Sequence, residues 1–308
     1  MNPEINYKIS IIILNWNGFE VTKDCLLSLL SIYYKNVNII VVDNASKDDS
    51  VIKLQDIKLL KDIEFISLKR NLGFTGGNNV GIDYAKLNYN PDFYLLLNND
   101  TIVQPNFIEE MLKGFVEYEN CYAVVPKIFY FDNPKKIWFC GGKVSRITGR
   151  VTHYGQHKED SLTFSQKGPT GFMNGCCAMI SKESIEKLGV LDDRFFANSE
   201  DADYSLRILD SGHSIVLMPT AIIFHKVSYS FESNKGKWLT FYLASRGIVI
   251  LQLKHLSGIM LPVFWIAFSI RWILYLTFKL ALLRDFKSLK GLYFGVQDGI
   301  LKRLRFLN

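Results

Sequence analysis

Cysteine is scarce: five residues among 308, an odd number, and none at zinc-ligand spacing. That argues against a disulfide framework and a cysteine zinc site, and a reducing compartment fits. Adjacent Cys176 and Cys177 read as small apolar strand residues. A leader is also missing: no basic stretch precedes an apolar core and a cleavage site, so no signal peptide is expected. The first apolar run, Ile9 to Leu14, is only strand-length. No Gly-x-Gly-x-x-Gly follows it and no P-loop occurs, which disfavours a dinucleotide oxidoreductase and a Walker ATPase. There is no internal repeat and no low-complexity linker.

What is present suits one large α/β domain plus an appendage. Hydrophobic residues make up 48% and aromatics 14% of the chain, and mean hydropathy is +0.09. That is rich for a soluble protein and lean for a polytopic membrane protein. The net charge of +6 is a property of the tail. Lys279, Arg284, Lys287, Lys290, Lys302, Arg303 and Arg305 stand there against Asp285 and Asp298. Such a cluster points to an anionic membrane surface rather than to nucleic acid.

β-branched and apolar runs predict strands over residues 8–14, 37–42, 63–68 and 93–97, with helices over 20–32, up to Leu87 and over 105–117. Ser46 with Asp49 resembles a helix-capping start. Strands alternating with helices indicate a mostly parallel sheet with helices on both faces. In such sheets ligands bind beyond the carboxyl ends of the strands. Four polar clusters fall there: Asn15-Trp16-Asn17, Asp43-Asn44, Asn71 to Asn79, and Asn98-Asn99-Asp100. Shorter strands and turns follow from Cys121, then a strand over 171–181, a helix over 201–211 and a strand leading towards His225.

The tail differs. Residues 256–283 are strongly apolar, interrupted by Arg271 and Lys279, and long enough to span a bilayer. Basic residues flank both ends, so the positive-inside rule selects no translocated side. Pro262 argues against a simple helix. The favoured expectation is a helix or hairpin lying in the cytoplasmic interface, anchored by Trp265, Trp272 and Tyr275. Domain boundaries are expected at 1–235, with a nucleotide-binding part to about 125 and an acceptor-side part over 126–235, and a membrane-associating region over 236–308.

Individual residues suggest chemistry. Asp43 closes a strand and could accept hydrogen bonds from a base or ribose, although Asp-Asn-Ala-Ser is also turn chemistry. Gly73, Gly76 and Gly77 would let backbone approach a ligand, and amides at a helix start suit phosphate. Asn98, Asn99 and Asp100 offer oxygens to a hard cation, Asp100 being the direct ligand, with His225 a further candidate. Glu200, Asp201 and Asp203 open a helix, where carboxylates also favour the dipole. Asp201 and Asp203 point to different faces, so one can meet a cleft while the other makes a structural bond. His153 and His157 read as solvated loop residues.

Taken in order, these segments resemble the family-2 glycosyltransferases, especially bacterial rhamnosyltransferase-like members. The matching pieces are Ile11 to Asn17, Val41 to Ser46, Asn71 to Gly81, Leu95 to Thr101, Gly175 to Ser181, Asp192 to Arg207, Gly212 and His225. They cover about residues 8–230. The resemblance implies a GT-A type, Rossmann-like fold, to which the composition adds an apolar, helical, membrane-associated C-terminal segment. It also implies a nucleotide-diphosphate-sugar donor and inversion at the anomeric carbon.

By matching position, Asp43 resembles the nucleotide-base contact, with Asn15, Asn17, Asn71, Gly76, Gly77, Asn78 and Asn99 on the donor side. Asp100 resembles the last position of an Asp-x-Asp metal motif whose first position is Asn98 here, and His225 a residue completing the metal site for Mg²⁺ or Mn²⁺. Asp201 resembles the general base, with Glu200 and Asp203 on the acceptor side. The acceptor expected is a saccharide or a polyprenyl-linked saccharide at the cytoplasmic face of the membrane, in cell-surface polysaccharide synthesis. Two rivals remain: a sugar nucleotidyltransferase, for which the uncharged turn Asn15-Trp-Asn-Gly18 is ill suited, and a non-catalytic sugar-nucleotide-binding module, against which Asp100 and Asp201 argue.

Overall fold

The computed structural model describes residues 6–227 and 237–304. The first half alternates as the hydrophobic pattern predicts: β1 (Ile9–Asn15), α1 (Phe19–Leu29), β2 (Val37–Asp43), α2 (Ser50–Gln55), β3 (Glu64–Ser67), α3 (Gly73–Asn88) and β4 (Phe93–Asn98). Next come β5 (Thr101–Val103), α4 (Phe107–Glu117), β6 (Cys121–Tyr130), β7 (Ile137–Phe139), β8 (Gly142–Val144) and β9 (Val151–His153). Then follow β10 (Gly168–Thr170), β11 (Cys177–Ser181), α5 (Lys182–Leu188), α6 (Glu200–Asp210) and β12 (Ser214–His225). The tail holds α7 (Lys237–His255), α8 (Met260–Leu282) and α9 (Phe286–Ile300). The expected boundary at 235/236 lies outside the described residues, as does Arg305.

β1 is fully covered: Ile9, Ile11, Ile12 and Ile13 have no exposed surface, as a strand buried on both faces requires. It pairs in parallel with β2 and β4, and β2 with β3. The full order is β10-β12-β6-β11-β4-β1-β2-β3, with β5 on β12 and β7 on β6. β11 runs antiparallel to both neighbours, while β12 and β6 are parallel. Register sets Asn15 beside Asp43 and Leu14 beside Asn98. The polar strand ends therefore share one rim.

Two local expectations change. α2 begins at Ser50, because Ser46 is engaged elsewhere: its hydroxyl donates to Asp43 at 2.5 Å. The Gly/Asn-rich run Asn71 to Asn79, which the sequence suggests as a loop leading into the helix to Leu87, is instead helical from Gly73, where α3 starts. A Cβ at Gly77 would stand 2.2 Å from Leu14, and one at Gly81 2.4 Å from Ile12. These glycines let α3 press onto β1, which outweighs their helix cost of roughly 1 kcal/mol each.

The tail is built on the same device. A Cβ at Gly291 or Gly295 would lie 2.3 Å from the carbonyl of Trp238 or Tyr242, and one at Gly299 3.0 Å from that of Arg246. One turn apart, the three glycines seat α9 against the backbone of α7. Tyr242 donates to buried Asp298 at 3.0 Å, and Ile250 and Leu251 of α7 join the main core. α8 is continuous over 23 residues, long and apolar enough by length and composition to cross a membrane. Only 11% of its most apolar stretch is buried. Its middle, Ser269–Tyr275, is π-helical. Pro262 sits in the first turn, where its missing N–H leaves no intrahelical bond unmade.

Candidate active site

At the rim, the ends of β1 and β2 are tied by buried hydrogen bonds. Asn15 Nδ2 donates to Asp43 Oδ1 at 2.8 Å and to Ser50 Oγ at 3.0 Å, while its Oδ1 accepts from Thr22 at 2.8 Å. Asn99 Nδ2 donates onward to Thr22 Oγ1 at 2.8 Å. Asp43 Oδ2 accepts from the Ser46 amide at 3.0 Å. Asn17, in a left-handed conformation, accepts from the Lys47 amide at 2.7 Å. One step along, Asn44 Nδ2 donates to Asn71 Oδ1 at 3.1 Å and its Oδ1 accepts from the Leu72 amide at 2.7 Å. That clamp fixes the start of α3.

Next to this rim opens a cleft of about 1070 Å³. Its wall includes Trp16, Asn44, Asn71, Asn99, Asp100, Glu200, Asp201 and His225. The structure thus gathers Asn71, Asn99, Asp100, Glu200, Asp201 and His225 around one space. Asn15, Asn17 and Asp43 stand behind the wall as braces. Asn78 donates to the Phe74 carbonyl within α3, and Gly76 packs on Leu72 as Gly77 does on Leu14.

Asp100 and His225 meet because β5 pairs with β12, setting His225 opposite Thr101. His225 Nε2 lies 3.1 Å from Asp100 Oδ1, yet neither Asp100 Oδ1 nor His225 Nδ1 has a hydrogen-bond partner, though both are buried. Buried polar atoms left unpaired are costly. A carboxylate and an imidazole in that condition fit a divalent cation. Among the described residues no three His, Cys, Asp or Glu side chains cluster, so the remaining ligands would come from bound phosphate or water.

Asp201 sits at the mouth of α6. The turn before it is strained: Asn198 and Ser199 both have positive φ, +71° and +76°. Such backbone persists only where its surroundings over-determine it. Here α7 supplies part of that support, since a Cβ at Gly247 would lie 2.7 Å from the Asn198 carbonyl. Burial pushes Asp201 up to about 6, against hydrogen bonds from the Gly175 and Ala202 amides. Glu200 is held well above the usual carboxylate range by burial and by the charge of Asp201, and its Oε2 has no partner.

Asp203 does not reach the cleft. It has no exposed surface and binds Arg207 at 2.9 Å, Lys254 at 2.7 Å and His255 at 2.8 Å. Burial alone would raise it, but those partners hold it below the usual value. Its place on the acceptor side is therefore corrected to a structural one, joining α6 to α7.

His153 moves the other way. It ends β9 and lines the cleft, lies edge-on to Trp138 at 5.2 Å, and has its pKa lowered from the ordinary histidine value by burial. A lone histidine in a three-residue strand carries no sequence signal for this. His157 instead stacks on Tyr130. The other surprise is an apolar wall from α7 and α8, including Leu243, Phe264, Phe268 and Trp272.

A curled α/β sheet with its ligand cleft at the strand ends and a carboxylate on either side is a GT-A transferase fold. A model of glycosyl transferase family 2 matches residues 10–189, and the chain belongs to that family. It is 26% identical over 256 residues to the low-salt glycan biosynthesis hexosyltransferase Agl10 of Haloferax volcanii, covering 78% of this chain and 76% of that one. It is 24% identical over 223 residues to the dTDP-rhamnosyl transferase RfbF of Shigella flexneri, covering 72% and 70%. Among solved structures it superposes on GalNAc-T7 with UDP, GalNAc and Mn²⁺ at a TM-score of 0.65 and 16% identity. That match covers 81% of this chain and 48% of the other, so the chain spans about half of that protein's length.

Proposed function

We propose that this glycosyltransferase moves a sugar, with inversion, from a nucleotide-diphosphate donor to a saccharide or lipid-linked saccharide acceptor in cell-surface polysaccharide synthesis. The observation that carries the reading is the placement of Asp100 and Asp201 on the wall of one cleft. Rhamnose is the first donor sugar to try, given the dTDP-rhamnosyl relative, and hexoses follow from Agl10.

Asn71, Asn99 and the amides opening α3 bind and orient the donor on the sheet side. Asp100 and His225 would hold Mg²⁺ or Mn²⁺, which when bound supplies positive charge for the departing diphosphate. Asp201 takes the proton of the acceptor hydroxyl as its oxygen bonds to the anomeric carbon. The bond from that carbon to the donor phosphate oxygen breaks, and its electron pair leaves with the nucleotide diphosphate. General-base help of this kind contributes about 10²–10⁴-fold in rate. Glu200, whose proton affinity is raised by burial and by the charge of Asp201, stands beside that base on the cleft wall. We place the enzyme at the cytoplasmic face of the membrane, on the strength of α8 and its basic flank.

A panel of nucleotide sugars screened by thermal shift tests the donor assignment, because a ligand of the folded state raises its melting temperature. The expected result is a shift with one donor, and product from that donor that falls when EDTA is added. Full turnover in a rigorously metal-free assay would remove the cation from Asp100 and His225, and no shift with any donor would overturn the reading.

A further inference from the structure

Just ahead of β11, the turn Met173 to Cys176 is bonded to both sides of the cleft. The Met173 amide donates to Ser205 Oγ at 2.8 Å, and that hydroxyl donates to the Asp201 carbonyl at 2.6 Å. The Gly175 amide donates to Asp201 Oδ2 at 3.3 Å. On the other side the Cys176 carbonyl accepts from the Asn98 amide at 2.8 Å, two residues ahead of Asp100. Within this turn Asn174 is 4% exposed. Its Oδ1 accepts from the Cys176 amide at 2.8 Å, which fixes the orientation of the side-chain amide. Nδ2 therefore faces His153 Nε2, at 3.3 Å. An NH₂ group only donates, so Nε2 must accept, and the proton of the neutral ring belongs on Nδ1. Phe172 stacks on that ring with centroids 5.7 Å apart. Burial disfavours the charged ring, against a smaller pull towards it from the Trp138 carbonyl. A charged ring would also set an N–H against the Asn174 NH₂.

We infer that His153 and Asn174 are positioning residues for the general base: a neutral imidazole holds the Asn174 amide, and Asn174 holds the turn whose Gly175 amide aims Asp201. This rests on the transferase reading above and deepens it. Neither side chain has to touch a substrate to act. Without an acceptor at position 153, the buried Asn174 amide is left with an unpaired donor, which is costly. As it turns to find another partner, its Oδ1 leaves the Cys176 amide and the Gly175 amide is freed with it. The bond from Gly175 favours the Asp201 anion. Its loss therefore raises the proton affinity of the base, and the acid limb of the rate profile moves to higher pH. A loss of packing alone would lower the melting temperature and the active fraction without moving that limb. Glu200, the neighbouring carboxyl, is common to all the variants below and cannot produce the difference.

The test uses the purified full chain in non-ionic detergent and has two readouts. The first is the ¹⁵N spectrum of ring-labelled histidine, in which His153→Gln identifies one of the five rings by its absence. The expected species at neutral pH is the uncharged ring with its proton on Nδ1. A proton on Nε2, or a charged ring, would overturn the inference without any activity measurement. The second is release of nucleoside diphosphate from dTDP-rhamnose, UDP-glucose and GDP-mannose, with water as acceptor, followed as kcat and KM against pH. His153→Leu is expected to lose about 10- to 100-fold in kcat, the scale of a misplaced reacting group, with donor KM unchanged and the acid limb at higher pH. Asn174→Ala, which removes both bonds, should do the same. His153→Gln, whose carbonyl can accept in place of Nε2, should restore most of the rate and return the limb. If the limb stays in place in His153→Leu while kcat and melting temperature fall together, the pair is only a structural brace and the inference is wrong, with the transferase left standing. If none of the three donors binds or turns over in the unmutated protein, the transferase reading fails first and the positioning role falls with it, whatever the tautomer.

Discussion

Asp201 gains proton affinity from burial, and a base serves best when its pKa lies near the working pH. Held at about 6, it is mostly ionised at neutral pH yet strong enough to take an alcohol proton in the transition state. Activity should therefore fall about tenfold per pH unit below about 6, read as kcat/KM against pH, with no matching loss of donor binding. A flat profile down to pH 5 would remove Asp201 from the role. The same raised pKa has a stability consequence of opposite sign. The folded state holds this proton more tightly than the unfolded chain, so acidification from above 6 towards the ordinary carboxylate range stabilises the fold at this site. Asp201→Asn should consequently lose about 10²–10⁴-fold in turnover while its melting temperature stays level or rises. Steady-state rates and a melt on one sample check both halves, and a clear drop in melting temperature would instead mark Asp201 as a structural residue.

Between elements, α6 and α7 are joined by charge, and α7 meets the catalytic turn through a glycine. Asp203 is fully buried among Arg207, Lys254 and His255. Removing one member of a buried pair costs about 3–5 kcal/mol. Asp203→Ala should lower Tm by on the order of 10 °C while the protein that stays folded keeps its donor affinity, as a melt and a donor titration would show. Gly247→Ala is subtler. Its methyl would press on the Asn198 carbonyl and the Ser199 hydroxyl at 2.7 and 2.8 Å. Overpacking of that kind costs about 1–3 kcal/mol. Because the strain falls on the turn that aims Asp201, kcat should drop while KM for the donor holds. An unchanged kcat would mean that α7 does not position that turn.

These same elements show what the sequence could and could not convey. The strands were legible because Ile9 to Leu14 and Phe93 to Leu97 are continuous apolar runs with polar ends, and parallel register then brings those ends together whatever the details of packing. The convergence of Asp100, Asp201 and His225 on one cleft was legible through the ordered resemblance. The start of α3 was not, because Gly73, Gly76 and Gly77 carry poor helix propensity and are helical only where β1 and Phe196 demand close approach. Asp203 was misplaced because its partners Lys254 and His255 lie some fifty residues on, in a helix read as membrane-associated. His153 and the α7–α8 wall went unread for the same reason: their meaning depends on which distant segments face them.

For the whole molecule, α8 offers hydrocarbon on two sides. Inward, Phe264 and Phe268 are buried against α7. Outward, Ile266, Leu274, Phe278 and Leu282 are each more than half exposed, and a soluble monomer rarely leaves so continuous an apolar strip bare. The last turn of α8 and the tail that follows are basic, with Lys279 in the helix and Arg284, Lys287 and Lys290 after it. Burial of apolar side chains in lipid does not weaken with salt, whereas attraction of lysine and arginine to anionic headgroups does. The two contributions can therefore be separated. Membranes carrying the full chain should retain it through washes in 1 M salt and release it only with detergent, while Arg284→Gln with Lys287→Gln should reduce capture by anionic vesicles at low salt and leave the detergent requirement intact. Release into the soluble fraction by low salt alone, without detergent, would show that α8 stays out of the bilayer and that its exposed strip is covered by something else.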